Sequence, residues 1–194
     1  IKALMRYEIL DTDPETDFDD LVQLAAGLCE TPIALISLVD PLRQWFKAKV
    51  GIATCETSRD IAFCAHALLQ RDILEVPDAL EDERFATNPL VTGEPFIRFY
   101  AGAPLISTEG YSLGTLCVID RTPRHLTTDQ RQILAILGRQ VLSQLELRLR
   151  NAQLARTQAS QKQFEALHAR LLFAFDHAME GIALLDQSGR YTYM

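Results

Sequence analysis

Phe99 to Ile106 and Leu113 to Asp120 are two apolar segments separated only by a short polar loop from Ser107 to Tyr111. Neither alternates cleanly between apolar and polar residues, so each must be covered on both faces. A hairpin of this kind belongs inside a sheet packed by helices. The small residues Ala101, Gly102, Ala103 and Gly114 leave space beside it for a neighbouring backbone or a ligand. Arg121-Thr122-Pro123 closes the second segment, and a helix-start signal follows at once.

The remaining length must provide the cover. With 194 residues, 48% hydrophobic and 23% charged, the chain can build one substantial core and retain a linker or a piece of another domain. The net charge of -7 argues against nucleic acid as a partner, because binding to phosphates needs a basic face. No apolar run approaches the roughly 18–20 residues of a membrane span, and the first residues lack a signal-peptide pattern. Cys29, Cys55, Cys64 and Cys117 form neither a CxxC pair nor a disulfide framework, so a reducing, cytoplasmic setting is expected. The chain opens on Ile1 instead of methionine, which leaves open what precedes it.

Asp13-Pro14 reads as a helix start, with Asp capping free backbone N–H groups and proline at the first helical position. Phe18, Leu21, Leu24, Ala25 and Leu28 then recur at helical spacing as one apolar stripe. Thr31-Pro32 ends that helix, Ile33 to Val39 reads as a strand, and Asp40-Pro41 turns the chain. In the next strand Phe46, Ala48 and Val50 alternate with Lys47 and Lys49, which predicts one buried and one wet face. Residues 58–70 predict a short helix with Ile61, Ala65 and Leu68 on one side, and Ile73 to Val76 a brief strand. From Asp78 to Pro95 the chain is irregular and broken by Asn88-Pro89 and Gly93, a loop placed to cover a small-molecule site.

Thr127 to Gln130 matches a capping box, and Leu134, Leu137, Val141, Leu145 and Leu149 follow at three- and four-residue steps. An unbroken helix from 128 to 178 would measure about 75 Å at about 1.5 Å per residue, more than one small domain needs. The stripe is therefore expected to hold a parallel homodimer together, its first turns shared with the sheet. Large apolar residues become scarce between Asn151 and Gln163, as in a connector. Leu171, Leu172, Phe175 and Ala178 then give a helical face, Gly181 to Asp186 a strand, Gln187 to Arg190 a turn, and Tyr191 to Met194 a second strand.

Pro32 to Asp40, Arg43 to Lys47, Phe63 to Ala67 and Leu113 to Asp120 resemble, in that order, the bacterial GAF sensory domain over residues 4–150. Residues 171–194 resemble the opening of a PAS domain. The resemblance implies an α/β (α+β) fold: a mostly antiparallel central sheet of about six strands flanked by helices, with a long C-terminal helix. It divides the chain into a sensory core at 1–126, a terminal helix continuing into a coiled-coil-like signalling linker at 127–170, and a truncated PAS start at 171–194. It also implies a regulatory sensor module of a bacterial multidomain signalling protein. Such a module passes ligand or interdomain signals through a dimeric helix to a downstream output domain, a histidine kinase first or a diguanylate cyclase second. No catalytic residue is then expected in this segment. Two other readings share the fold: a cysteine-dependent free methionine sulfoxide reductase using Cys55, Cys64 and Cys117, and a ligand-free dimerisation module.

A small-molecule pocket, on this reading, lies between the sheet and the 60–100 segment, near Trp45, Phe63, Cys64, His66, Phe85, Phe99, Tyr100 and Cys117. Ligand sites are mainly apolar with a few polar groups, and this set has that character. Cys64 and His66 stand two apart, and on a helix they point to nearly opposite sides, so a shared metal is not expected. Cys29 and Cys117 read as small core residues, and His125 and His168 as solvated. Bilin-binding GAF members attach pigment at a Cys followed directly by His; Ala65 intervenes here, which argues against covalent bilin. The Asn-Lys-Phe-Asp-Glu signature of cyclic-nucleotide-binding members is missing. The acidic run Asp78, Glu81, Asp82 and Glu83 lacks the ligand spacing and central glycine of a calcium loop.

Overall fold

Six apolar or half-apolar segments become strands: β1 (Ile33–Val39), β2 (Arg43–Val50), β3 (Glu56–Ser58), β4 (Leu74–Val76), β5 (Phe99–Ile106) and β6 (Ser112–Asp120). The computed structural model describes residues 2–182, and in it these strands form one sheet in the order β3-β2-β1-β6-β5-β4. Every neighbouring pair is antiparallel. The doubly apolar hairpin is β5–β6, and the equally apolar β1 lies beside β6, so the segments that need cover on both faces occupy the middle. Gly114 faces Leu38 across β1–β6, and a Cβ there would lie 1.9 Å from the Ser37 carbonyl oxygen. Its small size serves strand approach and leaves no room for a ligand.

One face of the sheet packs against α1 (Lys2–Arg6), α2 (Thr16–Cys29) and the first turns of α5 (Thr128–Ile182). The other face is covered by α3 (Phe63–Ala67), α4 (Pro89–Thr92) and the loops around them. The expected fold class is the one found. The capping box of α5 also forms as expected: Gln130 N donates to Thr127 Oγ1 at 3.1 Å, and Thr127 N donates to Gln130 Oε1 at 3.1 Å. Behind it Leu134, Leu137, Val141 and Leu145 are buried in the core of a single chain, and Leu149 is partly buried against it. The apolar stripe of α5 is thus accounted for by packing within one chain, without a second copy.

Five local expectations need correction. The helix expected to start at Asp13-Pro14 starts at Thr16, with Glu15 as a cap residue whose side chain makes no cap bond. That carboxylate is engaged elsewhere: it accepts from Lys47 Nζ at 2.6 Å and from Arg148 Nη1. Lys47, expected on a wet face, has a fully buried side chain whose ammonium also donates to Thr12 Oγ1 and the Asp13 carbonyl. The buried stripe of α2 runs through Phe18, Val22, Ala25, Ala26 and Cys29, while Leu24 and Leu28 are exposed. On α3 the buried side is Phe63, Cys64 and Ala67, with Ile61, Ala65 and Leu68 only half-buried. Asn88-Pro89, read as a break, instead opens α4: Asn88 Oδ1 accepts from Leu90 N and proline takes the first turn.

The chain divides into two compact units, residues 1–149 and 150–194. In the second, the described residues continue α5 to Ile182, with Leu154, Phe164, Leu167 and Leu171 exposed. The PAS-like strand expected from Gly181 does not begin there, since Gly181 and Ile182 continue α5; the rest of that strand, the turn and the second strand lie outside the described residues. Among the described residues no helix is long and apolar enough to cross a membrane.

Candidate functional site

On strand β5 neighbouring residues point to opposite faces, and this alternation divides the expected pocket in two. Phe63, Cys64, Phe85, Tyr100 and Cys117 share the core under α3, whereas Trp45 and Phe99 lie in the core on the α2 and α5 side. One cavity therefore cannot be lined by all of them. His66 sits at the rim of the first group, its ring edge-on to Phe85 at 4.8 Å. Phe63 stacks on Phe85 at 4.0 Å and tilts against Tyr100 at 5.2 Å, so these three rings pack on one another within the expected pocket.

Side chains from distant segments hold α3 in place. Asn88 Nδ2 donates to the Ile61 carbonyl at its entry, and Ser112 Oγ donates to the Leu68 carbonyl at its exit, 3.0 Å away. This sets Cys64 over the middle of the sheet. There its sulfur receives Thr115 Oγ1 at 2.9 Å and Tyr100 Oη at 3.3 Å, and the Cys117 sulfur lies 3.8 Å away. Tyr100 can lie along its own strand because position 102 is glycine: a Cβ there would come within 2.2 Å of the phenol oxygen. Ser37, directly across β1–β6 from Thr115, places its buried hydroxyl by the same sulfur, short of ordinary hydrogen-bond geometry.

Burial alone would push the Cys64 thiol up. The polar contacts from Cys117, Ser37, Thr115 and Tyr100 outweigh it and bring the thiol below its ordinary range. Cys117 is pushed the other way, by its bond to Cys64 and by burial. Burial, reinforced by the two sulfurs, also raises the Tyr100 hydroxyl far above its usual value and keeps it a proton donor. The pair is thus polarised, with Cys64 favoured as thiolate and Cys117 as thiol.

A cavity of about 30 Å³ adjoins this group, lined by Cys64, Phe63, Tyr100, Phe46, Gln44 and Thr57 among others. Gln44 Oε1 and Thr57 Oγ1 are buried without a hydrogen-bond partner. Sequence reasoning missed both residues, since a Gln and a Thr on strands toward the sheet edge carry no pattern that marks them as buried. Among the described residues no group of three or more His, Cys, Asp or Glu side chains is placed to hold a metal. The acidic run serves its own turns: Asp78 Oδ1 accepts from Leu80 N, and Asp82 binds Arg84. His125 is largely exposed beside Glu75.

The GAF domain family matches residues 13–145, more than half of the chain. This chain belongs to the GAF domain family. Its sequence is 50% identical over 116 residues to a protein from Pseudomonas aeruginosa named cyclic di-GMP phosphodiesterase. That match covers 60% of this chain and 20% of the relative, so the GAF chain spans about a fifth of the length of the curated protein it matches. Among solved structures, the GAF domain of an Acinetobacter phosphoenolpyruvate-protein phosphotransferase is similar with a TM-score of 0.58 at 21% identity, covering 75% of this chain and 91% of that one. The free methionine-R-sulfoxide reductase of Neisseria meningitidis, in complex with its substrate, gives 0.57 at 14% identity, covering 76% and 87%. At these identities both likenesses speak for the GAF fold alone.

Proposed function

We propose that this GAF domain is the sensory, regulatory module of a larger bacterial signalling protein whose output is the turnover of cyclic di-GMP. The observation that carries this reading is the 50% identity to a cyclic di-GMP phosphodiesterase across a segment that makes up a small part of that protein. Of the outputs expected from the sequence, histidine kinase and diguanylate cyclase, this relative favours the class that handles cyclic di-GMP. Helix α5 is the element suited to carry a signal onward, because its first turns are part of the sensory core and its residues continue to Ile182. A homodimer paired through the later part of α5 fits the exposed Leu154, Phe164, Leu167 and Leu171, which recur near heptad spacing.

The methionine sulfoxide reductase reading is less well supported. An amino-acid substrate beside Cys64 would have to enter a cavity of about 30 Å³, smaller than its side chain alone. The test uses the whole protein that carries this chain, assayed for hydrolysis of cyclic di-GMP and for its synthesis from GTP. One of the two activities is expected, and removal of residues 1–149 is expected to change its rate. Autophosphorylation from ATP with neither activity, or a rate indifferent to the removal, would overturn the reading.

A further inference from the structure

We propose that Cys64 and Cys117 form a reversible dithiol–disulfide pair, oxidised by a small hydroperoxide that enters the cavity beside Cys64. The two sulfurs are 3.8 Å apart, on α3 and on β6, and a disulfide requires about 2.05 Å. The closing movement falls on α3, a five-residue helix held at its ends by two side-chain bonds, against a strand at the centre of the sheet. Tyr100 Oη and Thr115 Oγ1 both donate to Cys64 at 3.3 and 2.9 Å, whereas Thr115 and the Leu35 backbone touch Cys117 only more weakly, which favours the Cys64 sulfur as the nucleophile.

The cavity fixes the class of oxidant. About 30 Å³ holds roughly two water-sized groups, that is, two oxygen atoms. Its buried and unpartnered polar atoms are Gln44 Oε1, an acceptor, and Thr57 Oγ1, which can donate or accept; Gln44 is only 5% exposed. Hydrogen peroxide has two oxygens, two donors and several acceptors, and it matches both the space and this pair. A bulky organic hydroperoxide does not.

The chemistry balances without a further reactant. Cys64 thiolate attacks one peroxide oxygen; the O–O bond breaks, an S–O bond forms, and hydroxide departs. The sulfur gives up two electrons and the peroxide accepts them. Hydroxide takes the Cys117 thiol proton and becomes water. Cys117 thiolate then attacks the Cys64 sulfur, the S–S bond forms, and the S–O bond breaks. The second hydroxide leaves with the proton that Cys64 first released. Two thiols and one peroxide become one disulfide and two waters, and an external dithiol reverses the change. This holds whichever output domain the chain controls.

The experiment uses the whole chain carrying Cys55→Ala, which removes the exposed thiol that Lys49 Nζ approaches to 3.3 Å. It is treated with hydrogen peroxide, unfolded in N-ethylmaleimide, digested and mapped by mass. The expected product is a peptide pair joining Cys64 to Cys117, two hydrogens lighter, with Cys29 alkylated and the link lost in dithiothreitol. Cys117→Ala should accumulate a Cys64 sulfenic acid that dimedone labels. Tyr100→Phe should slow the oxidation about tenfold, the effect of one hydrogen bond to a charged group. Cumene hydroperoxide should react far more slowly than hydrogen peroxide. Alkylation of both Cys64 and Cys117 after peroxide treatment overturns the proposal, as does direct conversion of Cys64 to a sulfinic acid beside a free Cys117. Equal rates with the two peroxides overturn the cavity as the oxidant's site. The cross-link in the chain with cysteines 64 and 117 intact decides the matter even if a variant fails to fold.

Discussion

Lys47 and Glu15 should respond very unequally to removal, although they form one ion pair. The Lys47 side chain is fully buried, whereas Glu15 remains 36% exposed and keeps Arg148 as a second partner. Lys47→Met removes a buried charge together with its desolvation cost, and leaves a carboxylate that water and Arg148 still stabilise. The losses are the donors to the Thr12 hydroxyl and the Asp13 carbonyl, about 1–2 kcal/mol in all. Glu15→Ala instead leaves a buried ammonium with those two neutral acceptors and the face of the Phe18 ring, 5.4 Å away, but no counter-charge, which costs about 3–5 kcal/mol. The gap of about 2 kcal/mol corresponds to a Tm difference of about 4–8 °C in a domain this size. With Lys47 already replaced by Met, Glu15→Ala should cost less than about 1 kcal/mol, since only a surface pair is lost. Urea unfolding followed by far-UV circular dichroism, with all four proteins fitted to a common slope, measures the cycle. If Lys47→Met is the costlier change, or if the two add within about 0.5 kcal/mol, the account of a buried cation dependent on Glu15 is wrong.

Leu145→Glu places a charge in the core of one chain and should lower stability by about 3–5 kcal/mol, with near-UV dichroism lost at physiological temperature; the half-buried Leu149→Glu should be milder. Thr127→Ala removes the hydroxyl that accepts from Gln130 N and should cost about 1 kcal/mol in the same unfolding assay. The Asp40 carboxyl is pushed up by burial, but the N–H groups of Arg43 and Leu42 and the Arg43 guanidinium outweigh this and hold it below its ordinary range. Its contribution is thus complete above an unfolded pKa of about 4 and fades as pH falls through the lower folded value, so Asp40→Asn should flatten the acid limb of stability against pH.

The strands could be read because their signals are local. Ile33 to Val39 and the 99–120 hairpin are apolar on both faces, and both lie where that demands, next to each other at the sheet centre. The capping box could be read for the same reason, as its two partners are three residues apart. Lys47 could not, because the groups that make its burial tolerable come from Thr12, Asp13 and Glu15, more than thirty residues upstream. Half of the candidate site was within reach. Phe99 and Tyr100 are neighbours on a strand, and alternation alone separates them onto opposite faces. The approach of Cys64 to Cys117 was not, since they stand 53 positions apart in sequence and only the folded sheet brings α3 across β6. The stripe on α5 was visible, but its partner was not: sequence periodicity does not distinguish a helix packed on its own sheet from one packed on a second copy.

Both ends of the sheet are closed by strands of only three residues, β3 and β4. At the β4 end Glu75 binds the Leu126 N–H and the Arg131 guanidinium, which draws the start of α5 over that border. An open edge is a template on which a foreign strand can grow, and a three-residue ladder gives such a strand almost nothing to copy. Where β3 and β4 form the border, an added strand therefore finds only a short ladder.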